Sequence, residues 1–193
     1  MPIVTRSDAK VAVAALKTQA ATLGGGVAAF WAALGANAIT GGALFQYGVV
    51  PRTTTGLRGI LFAPFIHGSV EHLVSNTLPF VILGWLVLLR DRRHFLPVTL
   101  LAMLGAGAVA WLLGSPGSVH VGASGVIFGY LGFLMLAGWY ARSLGSILLS
   151  VLVTGLWGSL VFGVLPGQPG VSWQAHLGGF LGGVWAAKLF RRR

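Results

Sequence analysis

Three short motifs carry almost all of the side-chain chemistry in this chain. HLVSN at 72–76 sets His72 and Asn76 four residues apart, on one face of a helix. GASG at 122–125 puts Ser124 between small residues, and AHLGGFLGG at 175–183 follows His176 with Gly179 and Gly183. A serine and a histidine within hydrogen-bond reach make a nucleophile with its general base. Each motif alone also has a plain structural reading. A Gly-x-Ser-Gly can be helix packing, His176 can be a buried histidine bonded to a carbonyl, and His72 with Asn76 can be interhelical glue worth ~1 kcal/mol.

The elements that must position these residues belong to a membrane. Of 193 residues, 55% are hydrophobic and only 8% charged, and the mean hydropathy is +0.84. A soluble domain needs a more polar surface. Six apolar segments, 24–46, 70–89, 95–114, 122–140, 144–165 and 173–190, are each long enough to cross a bilayer with some tilt. The 30 glycines suit close helix approach and show no Gly-X-Y period. Cysteine is absent, which excludes disulfides, thiol catalysis and thiolate metal sites. Arg6, Asp8, Lys10 and Lys17 keep the first residues polar, unlike a cleavable signal. The expectation is a cytoplasmic tail over 1–21, with an interfacial helix near 7–20, ahead of a membrane domain over 22–193.

A net charge of +10 raises the question of nucleic acid, and its distribution answers it. Eleven of the 13 basic residues fall on one side of the six segments: Arg6, Lys10, Lys17, Arg90, Arg92, Arg93, Arg142, Lys188 and Arg191 to Arg193. Arg52 and Arg58, in the first loop of the other side, are the remainder. This asymmetry predicts both termini in the cytoplasm of a cell that carries the chain in its plasma membrane. The charge is then topological, with attraction to anionic lipid headgroups as a secondary effect and no nucleic-acid partner. The first outer loop, 47–69, is too apolar to be free and predicts a segment partly in the interface. No repeat pairs the halves as in a transporter.

Polar groups inside a bilayer mark function by default. Measured from the cytoplasmic end of each segment at ~1.5 Å per residue, Ser124, His176, His72 and Asn76 all lie roughly 20 to 26 Å up, in one layer. Gly122, Gly125, Gly129 and Gly132 thin one side of the fourth segment, and Gly179 with Gly183 forms a GxxxG on the sixth. Close crossing of the two would bring Ser124 to His176.

In these residues the chain resembles the rhomboid family of intramembrane serine proteases. The resemblance rests on HxxxN (His72, Asn76), GxSG (Gly122, Ser124, Gly125) and AHxxGxxxG (Ala175, His176, Gly179, Gly183) in the second, fourth and sixth segments. His67 also resembles a histidine common in that family. The family's Trp-Arg pair reads Leu57-Arg58 here, and Phe128 stands where some members carry a tyrosine beneath the histidine.

The resemblance implies an all-α membrane protein with six transmembrane helices in a rhomboid-like bundle, both termini cytoplasmic. It implies Ser124 as nucleophile and His176 as base, without a third carboxylate. His72, Asn76 and the Ser124 N–H are the implied oxyanion donors, and Phe128 packs against His176. His67 has a structural role first, tying the first outer loop to the core, while His94 and His120 are read as solvated. Implied partners are transmembrane protein substrates and the lipid bilayer. No cofactor or metal is expected, since the histidines lack acidic or thiolate companions. A catalytically silent relative that binds membrane clients is the main alternative, and a small transporter or channel with His and Asn as solute ligands is another.

Overall fold

The computed structural model describes residues 6–191. Helix α1 spans Arg6–Ile39 and runs through residue 22 without a break. Short 3-10 turns and the one-turn α2, Gly59–Phe62, fill residues 43–65. Then come α3 (Val70–Leu113), α4 (Ser124–Ala141), α5 (Leu144–Trp157) and α6 (Trp173–Leu189). A 3-10 segment, Gly158–Val164, prolongs α5. Serines start three of the helices. Ser69 Oγ accepts from His72 N, Ser143 Oγ from Ser146 N and Ser172 Oγ from Ala175 N, each satisfying a donor that the first turn leaves unpaired.

α3 is two arms joined at an elbow. Asp91 has non-helical angles (φ −166°, ψ 109°), and its Oδ1 accepts from Arg93 N at 3.0 Å. One aspartate thus ends the first arm and caps the second. The sequence reading placed a loop here, between its second and third segments. The chain instead reverses with a single extended residue, and Arg90 pins the elbow to α4 by donating to Ala137 O at 3.0 Å. His94, read as solvated, stacks on Phe190 with ring centroids 4.6 Å apart and lies 3.7 Å from the Asp91 carboxylate.

The result is a multi-pass membrane helical bundle. Four helical stretches are long and apolar enough to cross a membrane: 8–39, 70–113, 124–141 and 144–164. This departs from the six separate spans expected. Two of the expected segments are the arms of α3, and α6, with 17 residues, is shorter than those four stretches. Leu148, Val151, Leu152 and Leu156 of α5 are exposed, a face suited to lipid and costly in water.

α4 lies at the centre, buried almost continuously from Gly125 to Leu134, and packs most extensively on α6 and α3. The α4–α6 crossing is as close as backbones allow. A Cβ at Gly179 would overlap the Gly125 carbonyl oxygen, and one at Gly183 would overlap that of Gly129. The GxxxG expectation therefore holds as geometry. The second arm of α3 joins this contact through Ala102 and Ala106, which face Gly129 and Gly125.

α5 is peripheral and packs chiefly on α4. Its buried Ser150 hydroxyl accepts from Gly138 N at 2.9 Å and donates to Leu134 O at 2.6 Å, entering the α4 hydrogen-bond ladder. A groove of about 770 Å³ runs beside that contact, lined by Met135, Trp139, Thr154 and Gly155.

Residues 43–65 form their own short helices, so the first loop is ordered rather than free. Arg52 donates to Leu112 O and Gly114 O at 3.0 and 2.9 Å, covering carbonyls that the end of α3 leaves unpaired. Trp111 Nε1 returns a bond to Thr53 O at 2.8 Å. Leu61, Phe62 and Phe65 of this region remain exposed.

Candidate active site

Ser124 is the first residue of α4, so its N–H belongs to the set that has no partner within the helix. The loop before it is fixed from several sides. Gly122 N donates to Ala63 O at 2.9 Å, and Ala123 N donates to His67 Nε2 at 3.3 Å. His67 is fully buried, and burial pushes its imidazole down to about 4, with nearby His72 acting the same way. It accepts from the loop that leads into Ser124. Gly122 has φ 113°, and a Cβ there would stand 2.8 Å from the His72 ring. Gly125 serves packing, not turning: it is helical and faces Ala106.

His176 sits on the first turn of α6 and is buried. The glycine-lined crossing brings its Nε2 to 2.8 Å from Ser124 Oγ. Its Nδ1 lies 3.0 Å from Gly163 O, and its ring stacks on Phe128 with centroids 4.0 Å apart and planes 10° from parallel. Phe128 is four residues after Ser124 and shares its face of α4. His176 therefore meets both the serine and a backbone carbonyl, two arrangements that sequence reading treated as alternatives.

His72 and Asn76 line the same cavity from α3. Asn76 Nδ2 donates to His72 O at 3.0 Å, which leaves a second amide hydrogen. Measured from where a Gly122 Cβ would stand, His72 Nε2 is 2.8 Å and Asn76 Nδ2 3.7 Å away. These donors thus gather two residues before the Ser124 hydroxyl.

The cavity has a volume of about 700 Å³ and is lined by Ser124, His176, His72 and Asn76 together with serine hydroxyls and Gln174. Among the described residues no Asp, Glu, Lys or Arg side chain lines it. Glu71, the acidic residue nearest in sequence, is exposed on the first turn of α3. Among the described residues no group of three His, Asp or Glu side chains forms a metal site.

A second serine–histidine contact went unread in the sequence. His120 Nδ1 is 2.6 Å from Ser172 Oγ, and its Nε2 is 3.0 Å from Ser118 Oγ. His120 also forms an antiparallel bridge with Val49, and burial holds its imidazole below the ordinary range. It is not the solvated loop histidine expected. Neither residue belongs to a motif or a periodic face that points to this pairing.

A rhomboid domain family model matches residues 54–193. The chain is 39% identical over 159 residues to an uncharacterized protein of Mycobacterium tuberculosis, covering 78% of this chain and 66% of that protein. It is 41% identical over 144 residues to an uncharacterized protein of Mycobacterium leprae, covering 70% and 57% of the two chains. RHOMBOID-like protein 4 of Arabidopsis thaliana is 31% identical over 131 residues, 64% of this chain and 32% of that one. The chain thus spans 66% of the length of the first of these relatives and less of the others. The matched region holds Ser124, His176, His72 and Asn76 in one cavity, and this chain belongs to the rhomboid family.

Proposed function

We propose that this protein is an intramembrane serine endopeptidase that cleaves a peptide bond in or near transmembrane helices of other membrane proteins. The observation that carries the reading is the 2.8 Å contact between Ser124 Oγ and His176 Nε2 on the wall of a cavity of about 700 Å³. Ser124 Oγ attacks the scissile carbonyl as its proton passes to Nε2. The tetrahedral oxyanion is met by the Ser124 N–H, Asn76 and His72, each donor worth ~3 kcal/mol. The imidazolium returns the proton to the leaving amine, the C–N bond breaks, and an acyl-serine remains. Water then attacks the ester, giving up a proton through His176, and frees the carboxylate product and Ser124.

The same reading places the two arms of α3, with α1, α4, α5 and α6, as six crossings of the plasma membrane with cytoplasmic termini. Residues 22–193 form the membrane domain and 1–21 a tail. The basic-residue asymmetry supports this orientation. Gly122, Gly125, Gly179 and Gly183 bring the helices together, Phe128 seats His176, and His67 holds the loop before Ser124. Substrates must unwind locally to reach Ser124, so small or helix-weakening residues near the cut favour cleavage.

The test is cleavage of a transmembrane substrate by purified protein in detergent. Ser124→Ala and His176→Ala each abolish it, and a serine-directed fluorophosphonate labels Ser124 alone. Cleavage that survives either substitution refutes the assignment. Labelling with no cleavage of any membrane substrate points to a silent client binder.

A further inference from the structure

A Ser–His pair works only if its imidazole is held in one tautomer and orientation. Where a carboxylate is present it does this, but among the described residues none lines the cavity around His176. The atom that faces His176 Nδ1 is Gly163 O, at 3.0 Å. A carbonyl oxygen only accepts, so Nδ1 carries the ring proton and Nε2 turns a lone pair to the Ser124 hydroxyl.

Two residues make this carbonyl available. Gly163 lies in the 3-10 segment Gly158–Val164, where each carbonyl bonds the N–H three residues on. Leu165 N still donates to Phe162 O at 3.1 Å. The next donor in the series is residue 166, a proline, which has no N–H. Gly163 O is therefore left to the imidazole. The glycine is needed as well: a Cβ at 163 would stand 2.8 Å from Phe128 Cζ and 3.3 Å from His176 Nδ1. Any larger residue pushes the carbonyl away from the stacked ring.

We propose that Gly163 is the positioning residue of this site. Its main-chain carbonyl, freed by Pro166, locks His176 in the Nδ1–H tautomer, so the pair is armed only while the segment after α5 is seated. The inference rests on the Ser124–His176 protease reading.

The decisive measurement is the tautomer of His176 in the full chain labelled with ¹⁵N-histidine in detergent micelles. Long-range ¹H–¹⁵N correlations report it, and His176→Ala assigns the signal. The expected form is Nδ1–H; an Nε2–H ring overturns the proposal. Pro166→Ala restores a competing N–H without crowding Phe128, and Gly163→Ala displaces the carbonyl. Both are expected to mix the tautomers and to lower kcat, by roughly 10-fold for Pro166→Ala and on the order of 100-fold for Gly163→Ala, with KM little changed. Unchanged tautomer and kcat in both variants also overturn it. The tautomer is read without substrate, so its outcome is separate from whether the protein cleaves anything.

Discussion

Two serine–histidine contacts of similar length stand in one cavity, and the proposed function assigns the chemistry to only one of them. Ser172 Oγ lies 2.6 Å from His120, closer than Ser124 Oγ lies to His176. Yet Ser172 Oγ already accepts from Ala175 N as the cap of α6. Ser118 Oγ gives its proton to Ser115 O at 2.7 Å and so accepts from His120 Nε2. That leaves Nδ1 to the capping hydroxyl of Ser172, and among the described residues no aromatic ring stacks on the imidazole. Ser124 has no capping duty, and His176 has a pure acceptor on one side and an aromatic ring beneath it. Distance alone would favour Ser172 and His120. The other commitments of each group favour Ser124 and His176.

The largest test of this contrast is to remove each hydroxyl in turn. Ser124→Ala is expected to lower cleavage on the order of 10,000-fold, as loss of a nucleophile does. Ser172→Ala should leave cleavage within about tenfold. Comparable losses in both, measured as kcat/KM on one transmembrane substrate, would erase the distinction. Next comes Asn76→Ala. Removing one oxyanion donor costs ~3 kcal/mol, about 100-fold in kcat with KM little changed. A pure KM effect would return Asn76 to the interhelical glue reading.

Acid acts on the supporting histidines. The unfolded chain protonates His67 below pH ~6.5, whereas the native chain holds it neutral down to about 4. Stability therefore falls as pH drops from ~6.5 toward 4, by up to ~1.4 kcal/mol per pH unit, and is insensitive to this group above 6.5. Thermal unfolding of His67→Gln in detergent should show a shallower acid slope than wild type. The smallest effect is again at Ser172. Losing the α6 cap costs ~1 kcal/mol of stability, read as a modest drop in unfolding midpoint with cleavage retained.

Much of this arrangement was legible from residue types and spacing. The i, i+4 relation of His72 and Asn76 and the Gly179–Gly183 pair both describe one helix face, and a face predicts which surfaces meet. The elbow of α3 was missed because a loop was assumed where one capping aspartate suffices. The interfacial helix near 7–20 and the segment from 24 are one helix ending at Ile39, because three consecutive glycines without a proline do not break it. His120 was misread because no motif or glycine-lined crossing marks its pairing with the cap serine Ser172. Gly163 contributes a backbone atom, to which side-chain reasoning is blind. Its one sequence signal was the proline three residues later.

The hydroxyl of Ser150 is a peg that hangs α5 on a single neighbour. The carbonyl that steadies the imidazole rides on the segment at the far end of α5. On the protease reading proposed above, the same join works like a machine guard wired to the power switch: displacing α5 withdraws the carbonyl that arms the imidazole.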